Sequence, residues 1–453
     1  MSTRNAVKKS SDSSLIRATY RVQLHPGFGF DRVAQIADYM AELGVSHLYP
    51  SPYLQAAKGS QHGYDIVDYG TVNAELGGRE AHQRMCDALA QNGLGQVLDI
   101  VPNHMATAGP RNPWWWDVLQ HGPHSRYACY FDIYWGDPPS RILVPVLGEP
   151  YGQVLERGEI KLVRQGSSIV VRYFDHVLPL SPESAAQLQA QYERDLDEHL
   201  AELNAEPARL DQVLEQQHYR LSYWRCAADE LNYRCFFDIN RLVGMRQEDE
   251  LVFDATHTLI LEWVADGTID GLRIDHIDGL RDPQGYLDRL HARAPSTWIV
   301  VEKILESGET LPSSWPVAGT TGYEFLNLVG SVFVDPSGEQ AMTDVYTSFA
   351  KKKASFADIV YEKKLYILND KFGSEIARLT ELLAKSCVNE WRFRDTRREQ
   401  LRELLNEVVA CFPVYRTYAR VDPPNPDSEL SEQDTRWVET AFARLAERRP
   451  DID

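Results

Sequence analysis

Cysteine is scarce in this sequence: six in 453 residues, at positions 86, 129, 226, 235, 387 and 411, with no C-x2-C pair among them. That spacing argues against a cysteine-based metal site and a dense disulfide framework, and leaves free thiols in a reducing compartment as the expectation. Apolar runs long enough to cross a bilayer are also lacking. Residues 1–14 are polar and basic without an apolar centre, so they read as a disordered N-terminus rather than a signal peptide or anchor, and a cytoplasmic location follows as the expectation. Positive charge is in deficit: 47 Lys and Arg against 66 Asp and Glu leave a net charge of −19, which repels phosphate backbones and anionic membrane surfaces. A neutral substrate such as a sugar suits this balance, and neither nucleic acid nor membrane is an expected partner. No G-x-G-x-x-G or P-loop follows an early strand pattern, which disfavours a doubly wound nucleotide-binding fold.

What is present is a β-α rhythm. Ala18 to Leu24, Val45 to Tyr49 and Gln96 to Val101 read as strands, with helices over Phe30 to Leu43 and near Glu80 to Asn92 between them. Pro50, Ser51 and Pro52 force a loop after the second strand, and Gly44 is a stop signal after the first helix. This alternation favours a parallel α/β sheet, either a barrel or a doubly wound one. From Met105 to about Val264 the rhythm breaks. That stretch holds a tryptophan-rich loop (Trp114, Trp115, Trp116), β-like segments at Ile160 to Val163 and Ile169 to Phe174, and a charged helical stretch from Ser181 to about Arg225. The rhythm returns with Gly271 to Asp275, a helix around Tyr286 to Ala294, and Trp298 to Glu302; Thr320 to Phe325 is a weaker sixth strand. The expected organisation is therefore strands one to three in 15–104, an insertion or lid subdomain in 105–263, strands four to six in 264–325, and a mainly helical region in 326–453.

Polar residues gather where these strands end. Asp99, Asn103 and His104 follow the third strand, Arg273 and Asp275 the fourth, and Glu302 the fifth. In a β/α barrel the C-terminal strand ends form the active face. Either carboxylate alone is explained equally well as a helix cap. Two on successive strands, one beside an arginine, form the minimal equipment for glycosidic bond chemistry. Arg273 would keep Asp275 ionised as the nucleophile, while the apolar run before Glu302 would keep it protonated as the acid.

Four segments, LDIVPNH (Leu98 to His104), GLRIDH (Gly271 to His276), VVEK (Val300 to Lys303) and HGYDIVDY (His62 to Tyr69), resemble signature regions of the α-amylase family, glycoside hydrolase family 13. TYRVQLHPGFGF, NYRCFFDINRLVGMR and FPVYRTY resemble the glucosylmutase branch, which turns the reducing end of a malto-oligosaccharide into a trehalose unit. The resemblance implies a (β/α)8 TIM barrel with a mixed and helical insertion after strand three and a helical region after strand six. It implies Asp275 as nucleophile and Glu302 as general acid/base. Tyr64, Asp65, His104 and Arg273 would surround the sugar, Tyr64 with a stacking face. His276 and Lys303 would hold the acceptor glucose or act as hydrogen-bonded supports. Asp99 and Asn103 would be structural, and neither a metal nor a cofactor is implied. The tryptophan-rich insertion would be either a lid over the retained glucose or subdomain core. A maltooligosyltrehalose trehalohydrolase is the functional partner the resemblance suggests. Alternatives within the same residues are a simple α-glucan hydrolase and a non-catalytic glucan-binding protein.

The family also has a His-Asp pair after its seventh strand, but the last histidine here is His291. No seventh or eighth strand is legible, so the expectation is an incomplete barrel that lacks the third catalytic carboxylate and a missing C-terminal portion.

Overall fold

The computed structural model describes residues 15–191, 195–351, 355–420 and 430–452. The expected disordered N-terminus, residues 1–14, and the Pro-bearing segment at 421–429 lie outside the described residues. The chain separates into two units, one comprising residues 1–224, 232–303 and 312–321, the other 225–231, 304–311 and 322–453.

The first unit is built on a six-stranded sheet of β1 (Thr19–Val22), β2 (His47–Pro50), β3 (Gly95–Ile100), β4 (Gly271–Ile274), β5 (Trp298–Val301) and β6 (Gly319–Thr320). Neighbours in chain order are neighbours in the sheet, and every pairing is parallel. This is a TIM-barrel-like α/β arrangement in which, among the described residues, β1 and β6 are the edges. β3 and β4 are buried along their whole length, as parallel strands covered on both faces must be. Register places Arg21 opposite Tyr49, and Arg273 opposite both Asp99 and Val300.

Five strands fall within two residues of their expected positions. The sixth does not: only Gly319–Thr320 is extended, and a helix starts at Tyr323. Gly322, at φ 92°, takes the left-handed conformation that ends the extended run. The helix expected over Phe30 to Leu43 is broken at Ile36 into Phe30–Gln35 and Ala37–Glu42. Phe30, Val33, Ala37 and Met40 keep one buried face across the break, but Leu43 is exposed.

The stretch between β3 and β4 is more structured than its sequence suggests. The tryptophan-rich segment is a helix, Pro113–His121, not a loop. Asn112 Oδ1 accepts the Trp115 N–H at 2.9 Å, and Pro113 occupies the first turn, where a missing N–H does no harm. Trp115 is buried edge-on against Phe131 and Tyr233, a core role, while Trp114 stacks on Tyr69 and Tyr127. Ile160–Gln165, Ser168–Tyr173 and His176–Pro179 form an antiparallel sheet. The helical stretch ends at Leu214, and Tyr219–Tyr223 is a strand paired with Ile142–Leu147. The expected boundary at 263/264 falls inside the helix Glu250–Ala265.

The second unit is mainly helical, with Tyr323–Ser331, Glu339–Ala350, Phe356–Lys371, Gly373–Asn389, Arg398–Cys411 and Glu432–Arg448. Arg449 ties its last turn to Glu403 and Glu407 at 2.7 and 2.6 Å.

One glycine fixes the loop that leads to Tyr64. Gly63 sits at φ 82°, and a Cβ there would lie 2.2 Å from the Pro52 carbonyl oxygen. Gly63→Ala therefore combines left-handed strain with a backbone clash and lowers stability by about 2 kcal/mol or more, read from urea unfolding midpoints. An unchanged midpoint contradicts the close approach.

Candidate active site

The strand ends converge on one guanidinium. Arg273 donates from one terminal nitrogen to Asp99 and to Asp275, both at 2.7 Å, and its other terminal nitrogen lies 3.0 Å from Glu302. Backbone bonds between strands hold this geometry. Asp275 N–H donates to Ile100 O and Glu302 N–H to Ile274 O, each at 2.9 Å, so each carboxylate is pinned to the end of the preceding strand. His276 adopts a left-handed conformation (φ 44°, ψ 53°), uncommon for a side-chain-bearing residue, and its N–H donates to Glu302 Oε2 at 2.9 Å. The turn there needs Gly279, because a Cβ would meet Asn103 Oδ1 at 2.4 Å.

A second layer reaches Asp99 from β1 and β2. Tyr64 and Tyr49 hydroxyls donate to Asp99 Oδ2 at 2.7 and 3.2 Å, and Arg21 donates to the Tyr64 hydroxyl at 2.9 Å while lying over the Tyr49 ring. Burial and the Asp99 charge push both phenols well above the ordinary range, so they remain donors. Asp99 thus accepts from Arg273 and from both phenols.

His104 is buried, and burial lowers its pKa to about 3, so the ring is neutral. A carbonyl only accepts, so Nε2 carries the proton toward Tyr64 O at 3.2 Å and Nδ1 accepts from the Asn103 amide at 3.3 Å. Asn103 Oδ1 in turn accepts from Arg234 at 2.6 Å, and Arg234 also pairs with Asp132 at 3.0 Å. Both His104 nitrogens are therefore engaged within the protein. Asp65 accepts from Ser60, holding the Tyr64 loop. Lys303 is buried and paired with Asp278 at 3.0 Å. His276 packs against the rings of Phe236 and Phe237, which also touch each other, and Phe236 packs on His104 as well.

All ten residues singled out from sequence lie in this one unit, at or next to the ends of β2 to β5. Arg21, Tyr49, Arg234, Phe236 and Phe237 were not singled out. Their contacts span from 28 positions in sequence (Arg21 to Tyr49) to 132 (Phe236 to His104), and only the β1–β2 register, which pairs Arg21 with Tyr49, carries a local signal.

The electrostatic reasoning for the two carboxylates needs correction. Asp275 is the more buried, with its side chain 9% exposed against 26% for Glu302. Burial raises the Asp275 pKa from 3.8 to about 7; Arg273 opposes the rise, and the charges of Asp99 and Glu302 reinforce it. The rise follows from burying a carboxylate beside like charge. Burial pushes Asp99 upward too, against the three donors it accepts from.

An acid whose folded pKa exceeds its unfolded value adds stability that is full below about pH 4 and is lost as pH rises through about 7. Asp275→Asn, which cannot ionise, therefore melts a few degrees above the parent at pH 8, with the gap closing toward pH 4. A constant gap in scanning calorimetry contradicts the raised pKa. Arg273→Met removes the shared counter-ion, so its loss of melting temperature is larger at pH 8 than at pH 5; equal losses at the two pH values contradict the counter-ion role.

Residues 30–152, which carry β2 and β3, match the family model of the α-amylase catalytic domain. A 97-residue stretch is 36% identical to an intracellular maltogenic amylase of Bacillus subtilis, over 21% of this chain and 16% of that one. Over most of its length the chain is homologous to maltooligosyltrehalose synthases. It is 40% identical over 377 residues to the putative maltooligosyl trehalose synthase of Mycobacterium tuberculosis, covering 82% of this chain and 45% of the relative. The structure of maltooligosyltrehalose synthase from Arthrobacter ramosus superposes with a TM-score of 0.80 at 36% identity, covering 96% of this chain and 51% of that one. The chain thus spans about half the length of the relatives it matches.

Proposed function

We propose that this chain carries the donor-sugar machinery of an intramolecular transglycosylation, in which the reducing-end α-1,4 bond of a malto-oligosaccharide becomes an α,α-1,1 bond. The observation that supports it is the Arg273 cluster, present in a chain homologous to maltooligosyltrehalose synthases. In the fraction of the protein in which Asp275 is ionised and Glu302 carries a proton, Asp275 attacks the anomeric carbon while Glu302 protonates the departing glycosidic oxygen, leaving a covalent glycosyl-enzyme. The released glucose stays bound and turns. It then attacks through its own anomeric hydroxyl, whose proton returns to Glu302, so two inversions give net retention at the donor carbon.

Tyr64 offers its ring to the donor sugar while its hydroxyl orients Asp99. His104, with both nitrogens engaged, positions the Tyr64 loop. Phe237, half-exposed beside His276, supplies an apolar wall on the acceptor side, and the Lys303–Asp278 pair braces the backbone after Glu302. Keeping water away from the intermediate is what separates transfer from hydrolysis. Among the described residues no helix is long and apolar enough to cross a membrane. We place the reaction in the cytoplasm, where a maltooligosyltrehalose trehalohydrolase would consume the product.

Incubation of the protein with maltopentaose, followed by NMR of the anomeric protons, tests this reading. The expected result is loss of the reducing-end signals and growth of a trehalosyl signal, with rates reduced at least about a thousandfold in Asp275→Asn and Glu302→Gln. Free glucose or maltose as the main product overturns it in favour of hydrolysis. Binding without turnover, indifferent to Asp275→Asn, overturns it in favour of a non-catalytic glucan-binding role.

A further inference from the structure

A line of hydrogen bonds that ends on Tyr64 begins at Arg234. Three oxygens from three segments converge on its guanidinium: Nε donates to Asp132 Oδ2 at 3.0 Å, one terminal nitrogen to Asn103 Oδ1 at 2.6 Å, and the other to Met245 O at 2.9 Å. The residue is fixed at its base as well. Arg234 N–H donates to Asp132 O at 2.9 Å, and Gly244 N–H donates to Arg234 O at 2.7 Å. Gly244 leaves the room that the guanidinium fills, because a Cβ there would lie 2.5 Å from Arg234 Cζ. Gly244 is also the register partner of His104, so the strand Ile239–Gly244 runs directly beside the histidine.

A guanidinium only donates, and it stays charged at any working pH. The buried Asn103 amide therefore has one acceptable orientation, with its oxygen toward Arg234 and its NH2 toward His104 Nδ1. A flipped amide would set donor against donor. Once the amide is fixed, the neutral His104 ring has one acceptable tautomer. The Nδ1–H form would meet the amide hydrogens and would turn a bare Nε2 lone pair to the Tyr64 carbonyl, so both bonds would be lost. Tyr64 is pinned at two ends by these contacts, its carbonyl by His104 and its hydroxyl by Asp99.

We propose that Arg234 is a positioning residue for the donor sugar: by taking the Asn103 oxygen it dictates the His104 tautomer, and through His104 it sets the placement of the Tyr64 ring. The effect on sugar affinity rests on the reading of Tyr64 as the ring offered to the donor sugar, whereas the tautomer is a property of the free protein.

Nitrogen-15 NMR of the His104 ring, assigned with His104→Gln, reads the tautomer, and calorimetric titration with maltopentaose reads the affinity. The parent is expected to show the Nε2–H form alone. Arg234→Met is expected to populate the Nδ1–H form and to weaken maltopentaose binding at least about fivefold; under turnover KM rises by the same factor while kcat falls less than about threefold, the pattern of an interaction made equally in ground and transition states. Arg234→Lys is expected to act in the same direction, because an ammonium drawn to the Asp132 carboxylate leaves the Asn103 oxygen without its donor, and it carries the test if the methionine variant does not fold. Asp132→Asn is the control. It removes the ion pair but leaves the Arg234–Asn103 bond, so it is expected to lower the melting temperature and keep the parental tautomer. A parental tautomer in the Arg234 variants overturns the proposal, and so does a tautomer shift in Asp132→Asn equal to theirs, which reduces Arg234 to a structural ion pair. A shifted tautomer with unchanged maltopentaose affinity overturns the link to the donor sugar. Both readouts are taken on the resting protein, so a failure to form the trehalosyl product is told apart from a failure of this proposal.

Discussion

Three carboxylates compete for one guanidinium, and the geometry of the candidate site is organised around that competition. Arg273 bonds Asp99, Asp275 and Glu302 at 2.7, 2.7 and 3.0 Å in a setting where its side chain is 7% exposed. Buried charge at this density is stable only because donors surround it: the phenols of Tyr49 and Tyr64 on Asp99, and the His276 amide on Glu302. Asp275 has the fewest donors of the three, and its carboxyl is the one raised to about 7. Burial raises Asp99 as well, but Asp275 is the group whose ionised form, in the proposed reaction, bonds to the sugar. From the ionised form, that bond relieves the repulsion by the charges of Asp99 and Glu302.

The sheet makes this arrangement possible. Consecutive parallel strands deliver their ends to one side, and the β3–β4–β5 register sets Asp99, Arg273 and Val300 side by side. Asp275 and Glu302 then follow directly, each tied by its N–H to the end of the preceding strand. A one-residue slip would turn Arg273 to the opposite face and dissolve the cluster. The supporting turn takes a left-handed conformation at His276 and is closed by Gly279.

Much of this was legible in the sequence because strand ends carry local signals. Short β-branched runs closed by Asp, Arg or Glu gave away β3, β4 and β5 and the polar residues after them. Other features were not legible, for physical reasons. The break at Ile36 leaves the apolar periodicity intact, so no pattern betrays it. The Pro113–His121 helix was hidden because three tryptophans in a row show no amphipathic alternation; only the Asn-Pro pair at its start marked it. Arg21 and Arg234 carry no sequence pattern that marks a site, and only the fold brings them to Tyr64 and Asn103. The Asp275 shift depends on burial and on two carboxylates from other strands, and the neighbouring Arg273 in sequence pointed the opposite way.

The central claim is that Asp275 holds a proton near neutrality because burial and like charge outweigh Arg273. A carbon-13 NMR titration of Asp-carboxyl-labelled protein, with Asp275→Asn used to assign the resonance, measures it directly. The account predicts a midpoint near 7 for that carboxyl. A midpoint near the ordinary value of 3.8 would contradict it.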